Sequence, residues 1–254
     1  MFWFIFYNGV ILPLLACIMF LAAIFLPKIR EGLKGRFQTY KRLKLFLGKK
    51  HTRSDIYWFH AASLGEFYQI KPIIEGMKKI KKENVMFISF SSPSGMNYAF
   101  SDAIDLKFYL PFDFPWTIQK VLTLVKPKKV IFATYDIWPN FVWLCKAKNI
   151  HLNVMSAKIG HHSIKYRPVI MNFYKSLYKL FDTIYTITEK DKNRFERMLG
   201  SKVKPMISAL GNPRFDKIFN ESKEFIESKP TIKDRDQIIL IGSSHSRDDL
   251  ILIP

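Results

Sequence analysis

The chain has 254 residues, 48% of them hydrophobic, and a formal net charge of +19. This length accommodates one sizeable α/β domain, or one domain with fragments of another. The positive charge favours an anionic partner such as a membrane or a phosphorylated substrate, and the sequence carries no zinc-finger, basic-zipper or RNA-binding signature, which argues against nucleic acid. Neither Cys17 nor Cys145 has a partner at metal-ligand or disulfide spacing, which fits a reducing, cytoplasmic location.

The first predicted element is an apolar segment without any charged residue from residue 2 to residue 26. It is long enough to cross a bilayer as a helix, so we predict a membrane anchor over residues 1–27. A cleaved signal peptide is the alternative, but such a peptide normally begins with positive charge and has a shorter apolar core. Here the positive charge comes only after the apolar segment, which favours a retained anchor.

A basic segment follows over residues 28–54, and up to residue 50 it contains nine lysines and arginines against the single acid Glu31. The positive-inside rule therefore predicts a single-pass membrane protein with the rest of the chain on the cytoplasmic side. Aromatic residues and leucines separate the charges, so the segment is expected to lie on the anionic leaflet as an amphipathic helix. A solvated linker is the alternative.

Residues 55–218 alternate short apolar runs with helical patterns. Strands are predicted at residues 56–60, 85–90, 107–110, 130–133, 152–155, 183–187 and 203–207. Helices are predicted at residues 67–82, 116–126, 140–149, 168–181 and 190–199. This alternation predicts βαβ units and a parallel sheet in a Rossmann-like domain. Because such sheets bind ligands where their strands end, candidate residues are sought at the carboxyl ends of strands.

A polar segment over residues 219–236 interrupts this pattern and is predicted to connect two domains. A further strand is expected at residues 238–241, followed by the sequence GSSH. A strand and a turn cannot fold alone, so we expect a second domain to begin at residue 237 and to be cut short at residue 254.

The sequence HAASLGE, from His60 to Glu66, follows a strand and begins a helix. Gly65 is expected to allow a tight backbone turn there, and Glu66 lies at the start of the helix. A carboxylate at this place is on the edge of the sheet where ligands bind. Capping of the helix is the explanation that residue chemistry alone favours.

The sequence TYDIWPN, from Thr134 to Asn140, brings a second acid, Asp136, to the same edge. Trp138 and Pro139 are expected to form a rigid apolar wall suited to a sugar or a lipid. A helix-capping Asp136 beside a core tryptophan is the alternative.

Two later segments carry cations. Lys158, with the neighbouring histidines His161 and His162, follows a strand and suits a phosphate or a carboxylate. Adjacent histidines point apart along a chain, so they are weak evidence for a metal. Arg214, in the sequence GNPRFD, is expected at the domain junction, from which it can reach into a cleft.

Together and in this order, these segments resemble the 3-deoxy-D-manno-octulosonic acid (Kdo) transferases of Gram-negative bacteria, glycosyltransferase family 30. The resemblance rests on six motifs of that family: H-x-x-S-x-G-E at residues 60–66, P-x-D-x-P at residues 111–115, E-[LI]-W-P-N at residues 136–140, N-A-R-L-S-x-R-S with a following Tyr at residues 156–166, G-N-L-K-F-D at residues 211–216 and G-S-T-H-x-G-E-E at residues 242–249.

The resemblance implies a GT-B fold of two Rossmann-like domains that transfers Kdo from CMP-Kdo to a lipid A precursor with inversion, without a cofactor or a metal. Glu66 would be the proton acceptor, and Asp136 and Arg214 would stabilise the transition state. Substrate-binding residues would be His60, Ser63, Gly65, Trp138, Lys158, Ser163, Asn212, Ser244 and His245. The expected partners are the lipid A precursor, CMP-Kdo and the anionic inner membrane.

The sequence departs from the family pattern at several positions. Thr134 stands where the family commonly has an acid, Asp136 is one methylene shorter than the family's Glu, and Arg214 replaces a lysine. The CMP-binding part of the second domain would lie beyond Pro254, so the isolated chain is expected to be inactive. The alternatives are a truncated, non-catalytic remnant that binds anionic lipid and a different GT-B lipid glycosyltransferase.

Overall fold

The computed structural model describes residues 1–49, 54–160, 167–200 and 205–227. The chain divides into two compact units, residues 1–217 and residues 218–254. The predicted second domain, at residues 237–254, lies outside the described residues.

The first unit is built on a sheet of seven parallel strands. They are β1 (Ile56–Ala61), β2 (Val85–Phe90), β3 (Leu106–Tyr109), β4 (Lys129–Phe132), β5 (His151–Ala157), β6 (Thr183–Thr186) and β7 (Met206–Ala209). Their order across the sheet is β3-β2-β1-β4-β5-β6-β7. The order reverses between β1 and β4, which makes the carboxyl ends of these two strands the topological switch point. The predicted fold class, a parallel Rossmann-like α/β domain behind an apolar helix, is confirmed.

Helices connect and cover the strands. In the described ranges they are α1 (Phe2–Phe6), α2 (Leu12–Phe25), α3 (Pro27–Lys49), α4 (Leu64–Ile80), α5 (Pro93–Tyr98), α6 (Pro115–Val125), α7 (Pro139–Ala147), α8 (Pro168–Tyr178), α9 (Glu189–Leu199) and α10 (Pro213–Glu227). A π-helical turn, Tyr7–Ile11, joins α1 to α2 without a break.

The core lies on both sides of the central strands. Every residue of β2 is buried, and the fully buried ring of Trp58 contacts those of Phe108 in β3 and Phe141 in α7. Strands covered on both sides are continuous apolar runs, which is why their positions could be predicted to within about two residues. Strand β7 is described from Met206 to Ala209, and residues 203 and 204 of the predicted strand lie outside the described residues.

Helix α10 differs from the prediction because it extends through Glu227, into the segment predicted as a connection over residues 219–236. The polar composition of that segment indicated a linker, but apolar residues recur at helical spacing from before it into it: Phe215, Ile218, Phe219 and Phe225. Residues 228–236 lie outside the described residues.

The continuous helix from Phe2 to Phe25 is long and apolar enough to cross a membrane. It is also docked on the domain. The ring of Trp3 lies 5.2 Å from that of Phe173 in α8, the Tyr7 hydroxyl donates to Asp113 Oδ2 at 2.9 Å, and the rings of Phe20 and Phe112 are 6.2 Å apart. The opposite side exposes large apolar side chains, among them Ile5, Val10, Leu14, Leu21 and Ile24.

The basic segment forms α3, so the predicted helix is confirmed and the alternative of a solvated linker is wrong for residues 27–49. Its apolar side contacts the domain, however. Leu43 is fully buried, the Thr39 hydroxyl donates to the carbonyl of Tyr109 at 2.7 Å, and a Cβ added at Gly35 would overlap the Tyr109 ring. Because this side is covered by protein, the exposed residues of α3 include all of its basic residues except Arg36, together with Phe37 and Leu45.

Candidate functional site

Glu66 lies in the first turn of α4, at the carboxyl end of β1. Its Oε1 accepts a hydrogen bond from the Thr134 hydroxyl at 2.6 Å, and its Oε2 accepts one from the backbone N–H of Ala62 at 2.7 Å. Ser63 is the N-cap of α4, and its Oγ is 3.5 Å from the backbone nitrogen of Glu66. The helix is therefore capped by Ser63, whereas Glu66 accepts from an N–H group that precedes the helix. The same carboxylate also links the end of β1 to the end of β4, and it is 8% exposed.

Gly65 does not make the tight turn that the sequence predicted. It lies inside the first turn of α4, outside the left-handed region of backbone space, and a Cβ added there would meet only Ser63 Oγ, at 3.8 Å. The change of direction is made instead by the extended backbone of Ser63, which leaves no conformational need for glycine at position 65.

Asp136 lies in the loop between β4 and α7. Its Oδ2 accepts a hydrogen bond from the Ser91 hydroxyl at 2.6 Å and is 3.0 Å from His60 Nε2. Burial raises the pKa of Asp136, but the hydrogen bond and charge of His60, the Ser91 hydroxyl and the Trp138 indole outweigh it and lower the pKa to about 2. The Trp138 N–H makes no hydrogen bond of ordinary length. Asp136 is thus held as an anion at neutral pH.

The alternative role of Asp136 as a helix cap is wrong, because another acid caps α7. Asp113 accepts hydrogen bonds from the backbone N–H groups of Asn140 at 3.0 Å and Phe141 at 2.9 Å, in addition to the Tyr7 hydroxyl. Burial raises the pKa of Asp113 to about 7 against the effect of these hydrogen bonds. Asp113 therefore links the N-terminal helix to the start of α7, the helix that follows the loop containing Asp136.

His60 is 1% exposed and lies behind Asp136. Its Nδ1 is 3.1 Å from the carbonyl of Ser89 and 3.0 Å from the hydroxyl of that residue, while Nε2 contacts Asp136. Both ring nitrogens are therefore occupied within the protein. The sequence predicted a substrate-binding histidine, and the structure places it where it orients the carboxylate.

The other predicted residues are spread along the edge of the sheet. Trp138 is half-buried beside Asp136, and Lys158 is exposed after β5, one strand away from β4. Asn212 and the exposed Arg214 follow β7, three strands from β4, a distance of roughly 14 Å at the usual strand spacing. No described contact joins Arg214 to Glu66 or Asp136. The remaining candidates lie outside the described residues: Ser163, Ser244 and His245.

Two residues of the site were missed by the sequence analysis. Ser91, after β2, donates to Asp136. Arg36 of α3 is buried, donates to the carbonyls of Leu110 at 2.7 Å and Ser91 at 3.2 Å, and lies 5.7 Å from the centre of the Trp138 ring. Burial lowers the pKa of Arg36, and Asp136 is the largest of the neighbours that raise it.

A signal for Arg36 was present in the sequence. The apolar residues of α3 recur at helical spacing (Leu33, Tyr40, Leu43 and Leu47), and Arg36 is the charged residue within that stripe. Within the described ranges, no group of three or more His, Cys, Asp or Glu side chains could hold a metal ion. The prediction that catalysis needs no metal stays a prediction.

A family model described as 3-Deoxy-D-manno-octulosonic-acid transferase (kdotransferase) matches residues 31–217. The chain belongs to this family. The curated 3-deoxy-D-manno-octulosonic acid transferase of Haemophilus influenzae is 24% identical, over 99% of this chain and 58% of its own length. The transferase of Aquifex aeolicus is 26% identical, over 84% of this chain and 54% of its own length. A bifunctional glycosyltransferase/methyltransferase of Fusobacterium nucleatum is 24% identical, over 92% of this chain and 37% of its own length. The chain thus spans about half the length of the curated relatives it matches.

Among solved structures, the UDP-GlcNAc 2-epimerase from Methanocaldococcus jannaschii is similar at a TM-score of 0.47 and 15% identity, over 70% of this chain and 54% of its own. A UDP-N-acetylglucosamine 2-epimerase from Rickettsia bellii is similar at a TM-score of 0.48 and 14% identity, over 70% and 50%. Likeness at this level carries no argument about function, so the fold assignment rests on the order and direction of the strands.

Proposed function

We propose that this chain is the acceptor-side part of an enzyme that transfers Kdo from CMP-Kdo to a hydroxyl group of a lipid A precursor, with inversion at the anomeric carbon. The observation that carries the proposal is the pair of carboxylates, Glu66 and Asp136, at the switch point of the sheet. The chain that forms this sheet belongs to the Kdo transferase family. Lipopolysaccharide biosynthesis is the process in which such a reaction takes part.

Glu66 is proposed as the general base. A sugar hydroxyl is a poor nucleophile, and a carboxylate that takes its proton as the new bond forms lowers the barrier. The acceptor oxygen bonds to the anomeric carbon, the bond from that carbon to the phosphate oxygen of CMP breaks, and the proton passes to Glu66. The Thr134 hydroxyl can rotate, which frees Oε1 of Glu66 for this role.

Asp136 is proposed to stabilise positive charge that develops at the anomeric carbon. Its contacts with His60 and Ser91 hold a negative charge in place before the reaction starts, so no reorganisation is required in the transition state. Arg214 and Lys158 are the proposed cations for the leaving phosphate, with Ser163, Asn212, Ser244 and His245 as further substrate contacts.

The N-terminal helix and α3 are proposed to hold the domain at the cytoplasmic face of the inner membrane. Exposed apolar side chains of the helix suit the acyl region of a bilayer, and exposed lysines of α3 suit anionic headgroups. The lipid acceptor and the enzyme would then meet on one surface.

The test is to incubate membranes containing the full-length gene product with CMP-Kdo and lipid A precursor, and to measure the molecular mass of the lipid product by mass spectrometry. The expected result is a mass increase by one or more Kdo residues, with the inverted anomer seen by NMR. Lipid binding without transfer would support the remnant instead. Transfer of another sugar alone would support a different glycosyltransferase.

A further inference from the structure

A cavity of about 520 Å³ lies between the N-terminal helix, α3 and the loops that follow β2 and β3. Helix α2 supplies an apolar wall that includes Leu12, Leu15 and Met19. On the domain side the lining includes Ser91 and Trp138. The cavity volume is within the range of roughly 300–1,000 Å³ that is usual for pockets holding small organic ligands.

The two sides of this cavity differ in chemistry. The α2 wall belongs to the helix whose other side exposes Leu14, Leu21 and Ile24. The domain wall includes Ser91, whose hydroxyl donates to Asp136. The same space is therefore lined by the most apolar element of the chain and by a direct partner of the candidate catalytic carboxylate.

We propose that this cavity binds one acyl chain of the membrane lipid that serves as acceptor, with the lipid headgroup at the Asp136 end. The proposal rests on the proposed function, because only a lipid acceptor brings an acyl chain to this place. The α2 wall offers no hydrogen-bonding side chain, so a peptide backbone there would lose its hydrogen bonds to water without replacement. An alkyl chain loses none, and burying it is favourable.

Gly32 provides a way to fill the cavity. It lies in the second turn of α3, lines the cavity and is buried from solvent, yet a Cβ added there would meet no atom within 4 Å. A side chain at this position therefore enters open space. Removing glycine from a helix interior also favours the helix, so the substitution is compatible with folding.

Gly48 is the matched control. It lies in the same helix, a Cβ added there also meets no atom within 4 Å, and it is exposed and does not line the cavity. Gly32→Leu and Gly48→Leu thus make the same chemical change in α3, and only the first fills the cavity.

The first measurement is transfer in membranes to two acceptors, the acylated lipid A precursor and its deacylated, water-soluble headgroup. With the lipid, Gly32→Leu is expected to raise KM about tenfold, the loss that roughly two buried methylene contacts would cause, and to leave kcat unchanged. Activity on the deacylated headgroup and all activities of Gly48→Leu should match the wild type. An unchanged KM for the lipid, or an equal loss on both acceptors, would overturn the proposal.

The second measurement does not need catalysis, so it separates failure of the acyl site from failure of the proposed function. An anionic lipid with a diazirine near the end of one acyl chain is photolysed with the full-length protein in vesicles. Label is expected at Trp138 and the 91–93 loop, on the domain side of the cavity, and Gly32→Leu should lower it about tenfold. Label confined to the exposed side of α2 would overturn the acyl site even if Kdo is transferred.

Discussion

The loops that follow β1 and β4 each bring one carboxylate to the same edge of the sheet, but they hold it differently. Glu66 accepts its two described hydrogen bonds from uncharged donors, the Thr134 hydroxyl and the Ala62 N–H. Asp136 is paired with His60 and Ser91, which lower its pKa to about 2. This difference in hydrogen-bond partners matches the proposed division of labour, in which Asp136 would supply a fixed charge and Glu66 would exchange a proton. Four changes test that division.

Glu66→Gln is expected to have the largest effect, because it removes the proton acceptor and keeps an oxygen for the Ala62 N–H. In the full-length protein kcat should fall by about 10²–10⁴-fold, the usual contribution of a general base. The thermal midpoint should change little. Glu75→Gln in the same helix is the control and should keep wild-type activity. Near-normal transfer by Glu66→Gln would remove Glu66 from the mechanism.

Asp136→Asn should lower kcat by about 10²-fold, since a preorganised charge is lost and the geometry is kept. Its effect should be smaller than that of Glu66→Gln, and KM for the lipid should stay near the wild-type value. The check is steady-state kinetics of both variants at one pH. If Asp136→Asn were the more damaging change, the roles assigned to the two carboxylates would have to be exchanged.

The stability of the protein at acid pH tests the pairing of Asp136 with His60 and Ser91. Because the pKa of Asp136 falls from 3.8 to about 2 on folding, the unfolded chain binds more protons than the native one between those values. The contribution of Asp136 is therefore complete above about pH 4 and is lost as the pH falls towards 2. Urea midpoints measured over this window should fall less steeply in Asp136→Asn than in the wild type, with His60→Gln in between. Parallel slopes for all three proteins would contradict the pairing.

Thr134→Val should have the smallest effect, a loss of about two- to tenfold in kcat, since it removes one hydrogen bond to Glu66 and preserves shape. Thr134→Ser retains the hydroxyl and is the matched control, with activity near that of the wild type. The comparison is made by kcat under saturating substrates. Equal losses in both variants would indicate that packing, and not the hydrogen bond, matters at this position.

The part of the site that follows from strand ends could be predicted, and the part that depends on contacts between distant segments could not. Buried parallel strands are apolar runs, so β1 and β4 and the acids after them were located correctly. That His60 lies behind Asp136 depends on a contact between residues 76 positions apart. The sequence places Arg36 within the apolar stripe of α3, but only its contacts with Leu110 and Ser91 show that it belongs to the site. Gly65 was misjudged because glycine alone does not specify a turn.

The docked N-terminal helix has a consequence for how deeply the protein sits in lipid. Tyr7 and Phe25 are separated by about 27 Å along the helix axis, nearly the thickness of a hydrocarbon core. Were the helix upright, Tyr7 would be near the opposite leaflet, out of reach of Asp113 on the domain. A helix that crosses the bilayer upright could therefore not keep the hydrogen bond between Tyr7 and Asp113. Under the proposed function, a helix that keeps this bond would lie along the membrane surface and bring the domain to the level of the lipid headgroups, where an acceptor could reach Asp136.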